Sequence, residues 1–217
     1  MSVSNLTWAK NSAEVFARLG VKHVCISPGS RNSPLIVAFI ENKQLTCHSI
    51  IDERSNGFFA LGIAKTSQKP VVIITTSGTG TANLYPAIIE ANLSRVPLII
   101  LTADRPPHLV GSGANQTIDQ QNLYGHHVRG CVDLGLPHYL ERLVLVLKKY
   151  YLLAMGLSHY GKQINPAGPV HLNFPFDEPL ILEQDLNENI SINKSMYERL
   201  QINPINVEIS KEKIPEF

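Results

Sequence analysis

Residues 70–104 read "PVVIITTSGTGTANLYPAIIEANLSRVPLIILTAD". Two continuous apolar runs, "VVIITTS" and "PLIILTAD", enclose a small-residue loop and a helical stretch. A strand that is apolar on both faces has no solvent side, so it belongs in a parallel sheet covered by helices above and below. The stretch is therefore a strand–loop–helix–strand unit with a crossover, and the crossover is expected to be right-handed.

The same unit repeats outward in both directions. Upstream, "NLTWAKNSAEVFARLG" places Trp8, Val15, Phe16 and Leu19 at helical spacing, with Gly20 to end the helix. "HVCIS" is a buried strand, and Ser33 with Pro34 is placed to start a helix through "LIVAFIEN", Ser33 as its cap. "LTCHSIID" is a further strand, expected to be buried, and "ERSNGFFALGIAKTSQ" the helix after it. Gly57 and Gly62 each cost that helix about 1 kcal/mol relative to alanine, which close packing would offset. Downstream, an irregular "RPPHLVGSGANQ" leads to a weaker helix–strand pair ending at "CVDLGLP". The strong helix "YLERLVLVLKKYYLLAMGLSHYG" and the strand of "GPVHLNFPFDEP" complete the series. The fold class is α/β: a doubly wound, mostly parallel six-stranded sheet with helices on both faces. Residues 1–180 form this domain. Residues 181–217 are polar, Asn-rich and sparse in large apolar side chains, and read as a linker or the start of another domain.

Composition narrows the partners. Of 217 residues, 44% are hydrophobic and the net charge is +1, which gives no footprint for nucleic acid or an anionic membrane. No apolar run reaches the length of a membrane span. The N-terminus lacks a secretory pattern, and Cys25, Cys47 and Cys131 are scattered, so a reduced cytoplasmic setting is expected. Neither the cysteines nor His126-His127 show metal-ligand spacing, and no metal site is expected on this chain.

In such a sheet the ligand crevice lies outside the carboxyl ends of the strands. The loops there are "SPGSR", "DER", "TTSGTG" and "TADRP". Gly29 allows close backbone approach, and Arg31 and Arg105 supply two planar cations suited to a dicarboxylate. Either arginine alone would more readily pair with a surface acid; two at strand ends favour a ligand. Asp52 suits a helix cap, which leaves Glu53 facing the crevice as a candidate proton donor or acceptor. Gly78 and Gly80 have part of a dinucleotide fingerprint, with Asp104 where a ribose-binding acid would lie. Asn83 takes the place of the third glycine, however, so a nicotinamide dinucleotide-binding domain and a plain tight turn both stay open.

"CISPGSRNSPL", "IDERSNGFFALGIAK", "VVIITTSGTGTANLYPAIIEA", "PLIILTADRPPHL" and "GANQTI" together resemble one family. It is the thiamine diphosphate-dependent 2-succinyl-5-enolpyruvyl-6-hydroxy-3-cyclohexene-1-carboxylate synthases of menaquinone biosynthesis, in their N-terminal pyrimidine-binding domain. The resemblance runs from about Val3 to Pro179. It implies a transferase that decarboxylates 2-oxoglutarate on thiamine diphosphate and adds the succinyl carbanion to isochorismate. It implies Glu53 as the catalytic carboxyl on the cofactor's aminopyrimidine, with Thr76, Ser77 and Gly78 beside that ring. Ser30, Arg31, Arg105, Asn115 and Gln116 would contact substrate. It also implies Mg2+ or Mn2+ with the diphosphate on a separate C-terminal domain, and a homodimer or homotetramer. No Gly-Asp dipeptide of that domain's motif occurs here, so the chain alone is expected to be inactive. A non-catalytic dimerisation or carboxylate-binding module is the remaining alternative.

Overall fold

The computed structural model describes residues 3–187 and 194–202. Helix α1 (Asn5–Arg18) leads into β1 (His23–Ile26), α2 (Ser33–Glu41), β2 (Thr46–Ser49) and α3 (Glu53–Ser67). β3 (Val71–Thr75), α4 (Thr79–Asn83), α5 (Tyr85–Leu93) and β4 (Leu98–Asp104) follow. Then come β5 (Cys131–Asp133), α6 (Leu140–Met155), β6 (Val170–Pro175), α7 (Glu183–Asn187) and α8 (Lys194–Arg199). The six strands form one sheet in the order β2-β1-β3-β4-β6-β5, and every neighbouring pair is parallel. Strand order reverses between β1 and β3, so the loops after those two strands flank the switch point where α/β sheets bind ligands.

Burial follows strand alternation. Val24, Ile26, Val72, Ile74, Ile99 and Leu101 face a core shared with α1, α2 and α6. Cys25, Val71, Ile73, Leu98 and Ile100 face a second core shared with α3 and α5. The sheet is thus wound on both faces, as the apolar runs predict.

Several local expectations are corrected. The cap of α2 is Asn32, and Ser33 is already inside the helix. Asn32 makes no capping bond because its Nδ2 donates to Ser27 O at 2.9 Å, while the Ser33 hydroxyl turns back to Ser30 O. β2 is an edge strand with exposed and half-buried side chains, since only β1 pairs with it. The weak helix before "CVDLGLP" is reduced to a 3-10 turn at Gly125–His127, and the strand to three residues at the other edge. Gly57 is packed as expected, for a Cβ there would stand 2.8 Å from Ala87 Cβ, but nothing lies within 4 Å of one on Gly62.

Beyond residue 180 the polar composition hides a docking helix. Met196, Tyr197 and Ile202 are buried in the first core. The Lys148 ammonium donates to Leu200 O and Gln201 O at 3.1 and 3.2 Å, which satisfies carbonyls at the end of α8. Arg18 lies over the Tyr197 ring at 4.8 Å, a cation–π contact.

Candidate active site

The β3 loop is the centre of the site. Gly78 adopts φ 71°, ψ −132°, a conformation that residues with a Cβ avoid. A Cβ there would also lie 2.7 Å from Gln116 O. Its N–H donates to Gln120 Oε1 at 2.6 Å. Ser77 Oγ donates to Gln116 O at 2.9 Å and accepts from Arg105 Nη1, and Gln116 Nε2 returns a bond to Ser77 O at 3.0 Å. Two loops far apart in sequence are thereby knitted into one wall.

Glu53 is the first residue of α3. Asp52 caps that helix, its Oδ1 accepting from Ser55 N at 2.7 Å, and this bond holds the Asp52 carboxyl below its ordinary pKa. The helix start turns the half-buried Glu53 toward the β3 loop. Its Oε1 lies 2.9 Å from the point a Cβ on Gly80 would occupy, and Thr76 Cγ2 lies 3.1 Å from the same point. Glycine at position 80 therefore lets the carboxylate and Thr76 pack directly against the start of α4. Thr75 Oγ1, 3.4 Å from that point, is buried without a hydrogen-bond partner. A half-buried carboxylate and a buried, unsatisfied hydroxyl thus converge on the first turn of α4.

The β1 loop forms the other wall. A Cβ on Gly29 would stand 2.7 Å from Thr76 Cβ, so the two loops touch there through the missing side chain. Ser27 anchors the base: its N–H donates to Ile74 O, its Oγ donates to Ile50 O, and it receives Asn56 Nδ2, all at 2.9 Å. Ser30 stands exposed at the rim. Arg31 is 8% exposed; its Nη1 donates to Phe176 O at 3.0 Å and its Nη2 to Glu178 Oε1 at 3.1 Å. Arg105 is half-buried, and burial followed by the like charge of Arg31 lowers its pKa. Asn115 and Gln116 are exposed on the same loop, Gln116 with its amide already on Ser77.

Beneath these walls lies a buried polar lattice with no counterpart in the sequence reading. Asn173 Nδ2 donates to Asp104 Oδ2 and to Asp133 Oδ2, both at 2.8 Å. Its Oδ1 accepts from Thr102 Oγ1 at 2.8 Å and from Gln120 Nε2 at 2.9 Å. Gln120 thus ties the sheet to the Gly78 backbone. Asp104 Oδ1 accepts from Arg105 N at 2.7 Å, and burial raises the Asp104 pKa. With both oxygens engaged, Asp104 is not the free ribose-binding acid that a dinucleotide site needs. A signal for the lattice was present in "VHLNFP", where His and Asn interrupt an apolar strand. Among the described residues, no three His, Cys, Asp or Glu side chains gather as a metal site would require. No helix among them is long and apolar enough to cross a membrane.

Comparison with known proteins gives the family. Residues 7–123 match the family described as thiamine pyrophosphate enzyme, N-terminal TPP binding domain. A 2-succinyl-5-enolpyruvyl-6-hydroxy-3-cyclohexene-1-carboxylate synthase of Halobacterium salinarum is 49% identical over 176 residues, covering 81% of this chain and 30% of the relative. Proteins of the same name from Histophilus somni and Listeria innocua are 50% and 48% identical, over 82% and 77% of this chain and 31% and 28% of theirs. The chain spans about 30% of the length of these curated relatives.

Proposed function

Because this chain belongs to the thiamine pyrophosphate enzyme family, as its N-terminal TPP-binding domain, we propose that it is the pyrimidine-binding part of a 2-succinyl-5-enolpyruvyl-6-hydroxy-3-cyclohexene-1-carboxylate synthase. The observation that carries the reading is the Glu53 carboxylate turned onto the Gly80 backbone beside the β3 loop, at the sheet's switch point. In this reading Glu53 holds a proton at Oε1 and shares it with a ring nitrogen of the cofactor. Thr76, Ser77 and Gly78 line the ring's seat, and glycine at position 78 permits both the φ of 71° and the close approach of the Gln116 loop that fixes them. Thiamine diphosphate, when bound, supplies the nucleophilic carbon and the electron sink for decarboxylation.

Substrate handling falls to the charged rim. Arg31 and Arg105 receive the carboxylates of isochorismate, and 2-oxoglutarate is the second substrate. Ser30, Asn115 and Gln116 add hydrogen bonds to the same acceptor. The diphosphate and its Mg2+ or Mn2+ are held by a separate domain, the assembly is a homodimer or homotetramer, and the setting is the cytoplasm. Arg105 is braced by Ser77, so substrate contact and cofactor seat are mechanically joined.

The decisive experiment is Glu53→Gln in an enzyme that contains the complementary domain. Turnover should fall about 100-fold or more, the scale of a lost acid–base group, with the KM for isochorismate and the melting temperature nearly unchanged. Wild-type turnover in that variant removes Glu53 from the mechanism.

A further inference from the structure

We infer that Glu178 is a built-in competitor for substrate: its carboxylate occupies the Arg31 guanidinium until an incoming carboxylate takes that place. The inference rests on the reading of Arg31 as a substrate contact. It comes from how incompletely Arg31 is satisfied. The side chain is 9% exposed, its Nη1 is committed to Phe176 O, and its Nε is buried without a partner. On the edge formed by Nε and Nη2, a single bond is made, from Nη2 to Glu178 Oε1 at 3.1 Å. That contact is one-pronged and longer than the roughly 2.7–2.9 Å of a strong charge-assisted bond.

A guanidinium edge fits both oxygens of one carboxylate. A ligand seated that way would satisfy Nε as well as Nη2, which Glu178 as placed does not. The exchange is asymmetric in the ligand's favour. A buried N–H that lacks an acceptor is penalised until something supplies one, whereas Glu178 is 72% exposed at its side chain and keeps much of its hydration on leaving. The space it would swing into exists, for Glu178 lines a cavity of about 580 Å³ with Ser4, Thr7 and Gln184.

The turn that presents Glu178 is held in place. Asn5 Nδ2 donates to Asp177 O, Pro179 O and Leu180 O at 2.8, 3.2 and 3.3 Å, and Glu178 N donates to Asp177 Oδ1 at 2.9 Å. Only the side chain has to move. Glu178 also acts electrostatically on Arg105, opposite in sign to Arg31, so one exposed acid damps both cations of the rim. The residue therefore sets the threshold at which a dicarboxylate binds.

Calorimetric titration of isophthalate, a stable dicarboxylate, into this 217-residue chain at low ionic strength tests the idea. Glu178→Gln should tighten binding about two- to fivefold, the scale of an exposed ion pair. Arg31→Lys and Arg105→Ala should each weaken it. If isophthalate binds in an arginine-dependent way but Glu178→Gln leaves affinity unchanged, the competitor idea is overturned and the substrate reading of Arg31 stands. Weaker binding in Glu178→Gln overturns it too, by showing that Glu178 orients Arg31 for the ligand. If no variant binds, or the arginine variants bind as the parent does, both the competitor idea and the carboxylate reading fall together.

Discussion

The two faces of the sheet are built from different materials. Along β4 and β6, Ile99, Leu101, Val170, Leu172 and Phe174 face the core under α1, α2 and α6. The alternate residues Thr102, Asp104, His171 and Asn173 face the other way and join the polar lattice. Trp8, Phe16, Phe39 and Tyr197 fill the first face. The second holds the buried Tyr124 ring with Leu84 and Ile88, and Ala60, Ala64 and Ala91 let α3 and α5 approach closely there, while Phe58 and Phe59 stand 45% and 47% exposed. The greater aromatic bulk of the first face supplies the larger share of stability. Small residues and hydrogen bonds on the other fix the loops that carry Glu53, Ser77 and Gly78. A disturbance of the first face should lower stability without reshaping the site, and a disturbance of the second should do both.

The largest expected effect breaks the first face. Phe16 is fully buried and lies beside Phe39, with ring centroids 6.5 Å apart. Phe16→Ala should lose about 3–5 kcal/mol in urea unfolding through the removed area and the cavity left behind. The midpoint should move with little change in slope. A loss within 1 kcal/mol would mean that the first face is not the stability reservoir.

The next effect belongs to the second face and appears only in acid. His171 is fully buried, with Nε2 2.8 Å from Thr102 Oγ1 and Nδ1 3.3 Å from Cys131 Sγ. Because Thr102 gives its hydroxyl proton to Asn173, the lattice assigns the His171 proton to Nε2. Burial lowers its pKa to about 3, against an ordinary value of 6.5. Between those values the unfolded chain holds a proton that the folded chain does not, so stability falls as pH drops from 6.5 toward 3. The loss over the whole window is on the order of 4 kcal/mol. Asp104 opposes it: with its pKa raised by burial, its protonation favours the folded state as pH falls. In His171→Gln the slope of stability against pH should be shallower by up to one proton across this window. An unchanged slope would show that His171 is not held neutral.

The same contrast explains what could be read from the chain without coordinates. β3 and β4 were legible because both of their faces are buried, which leaves an unbroken apolar run. β2 departs from the expected buried strand because an edge strand needs no such run. Glu53, Ser77 and Arg105 were visible as polar residues where strands end. Gln120 and Glu178 were not, since each acts on a partner 42 or 147 positions away, and no local spacing records that. Tyr197 was hidden for a similar reason. A tyrosine in a polar arm is inconspicuous until its ring is found under Arg18 and its hydroxyl on Asn11.

Two glycines of α3 sharpen the comparison further. Gly57 is the contact point of α3 with α5, and an alanine there would place its methyl 2.8 Å from Ala87 Cβ and 3.4 Å from Leu84 Cδ2. The Leu84 methyl can give way, but the Ala87 Cβ is fixed to its backbone, so the helices must separate. Gly57→Ala should cost about 1–3 kcal/mol by overpacking, despite the better helix propensity of alanine. Since Asn56 ties this turn of α3 to Ser27, the shift should also reach the site as a lower turnover in the assembled enzyme. A gain in stability would show that the second face is looser than its small residues imply.

Gly62 lies one and a half turns further along the same helix and gives the smallest effect, with the opposite sign. No atom lies within 4 Å of a Cβ placed there, so nothing opposes the added methyl. The helical backbone is already compatible with alanine, and the substitution narrows the conformations open to the unfolded chain. Gly62→Ala should therefore stabilise by about 0.5–1 kcal/mol in the isolated chain. The position is exposed beside Phe58 and Phe59 on the outer side of α3. Thermal unfolding of the 217-residue chain and of the assembled enzyme separates two causes for the glycine. A gain in both means that Gly62 is free surface. A gain in the isolated chain that turns into a loss in the assembly means that another surface packs against the helix there, and the open space beside Gly62 is where it fits.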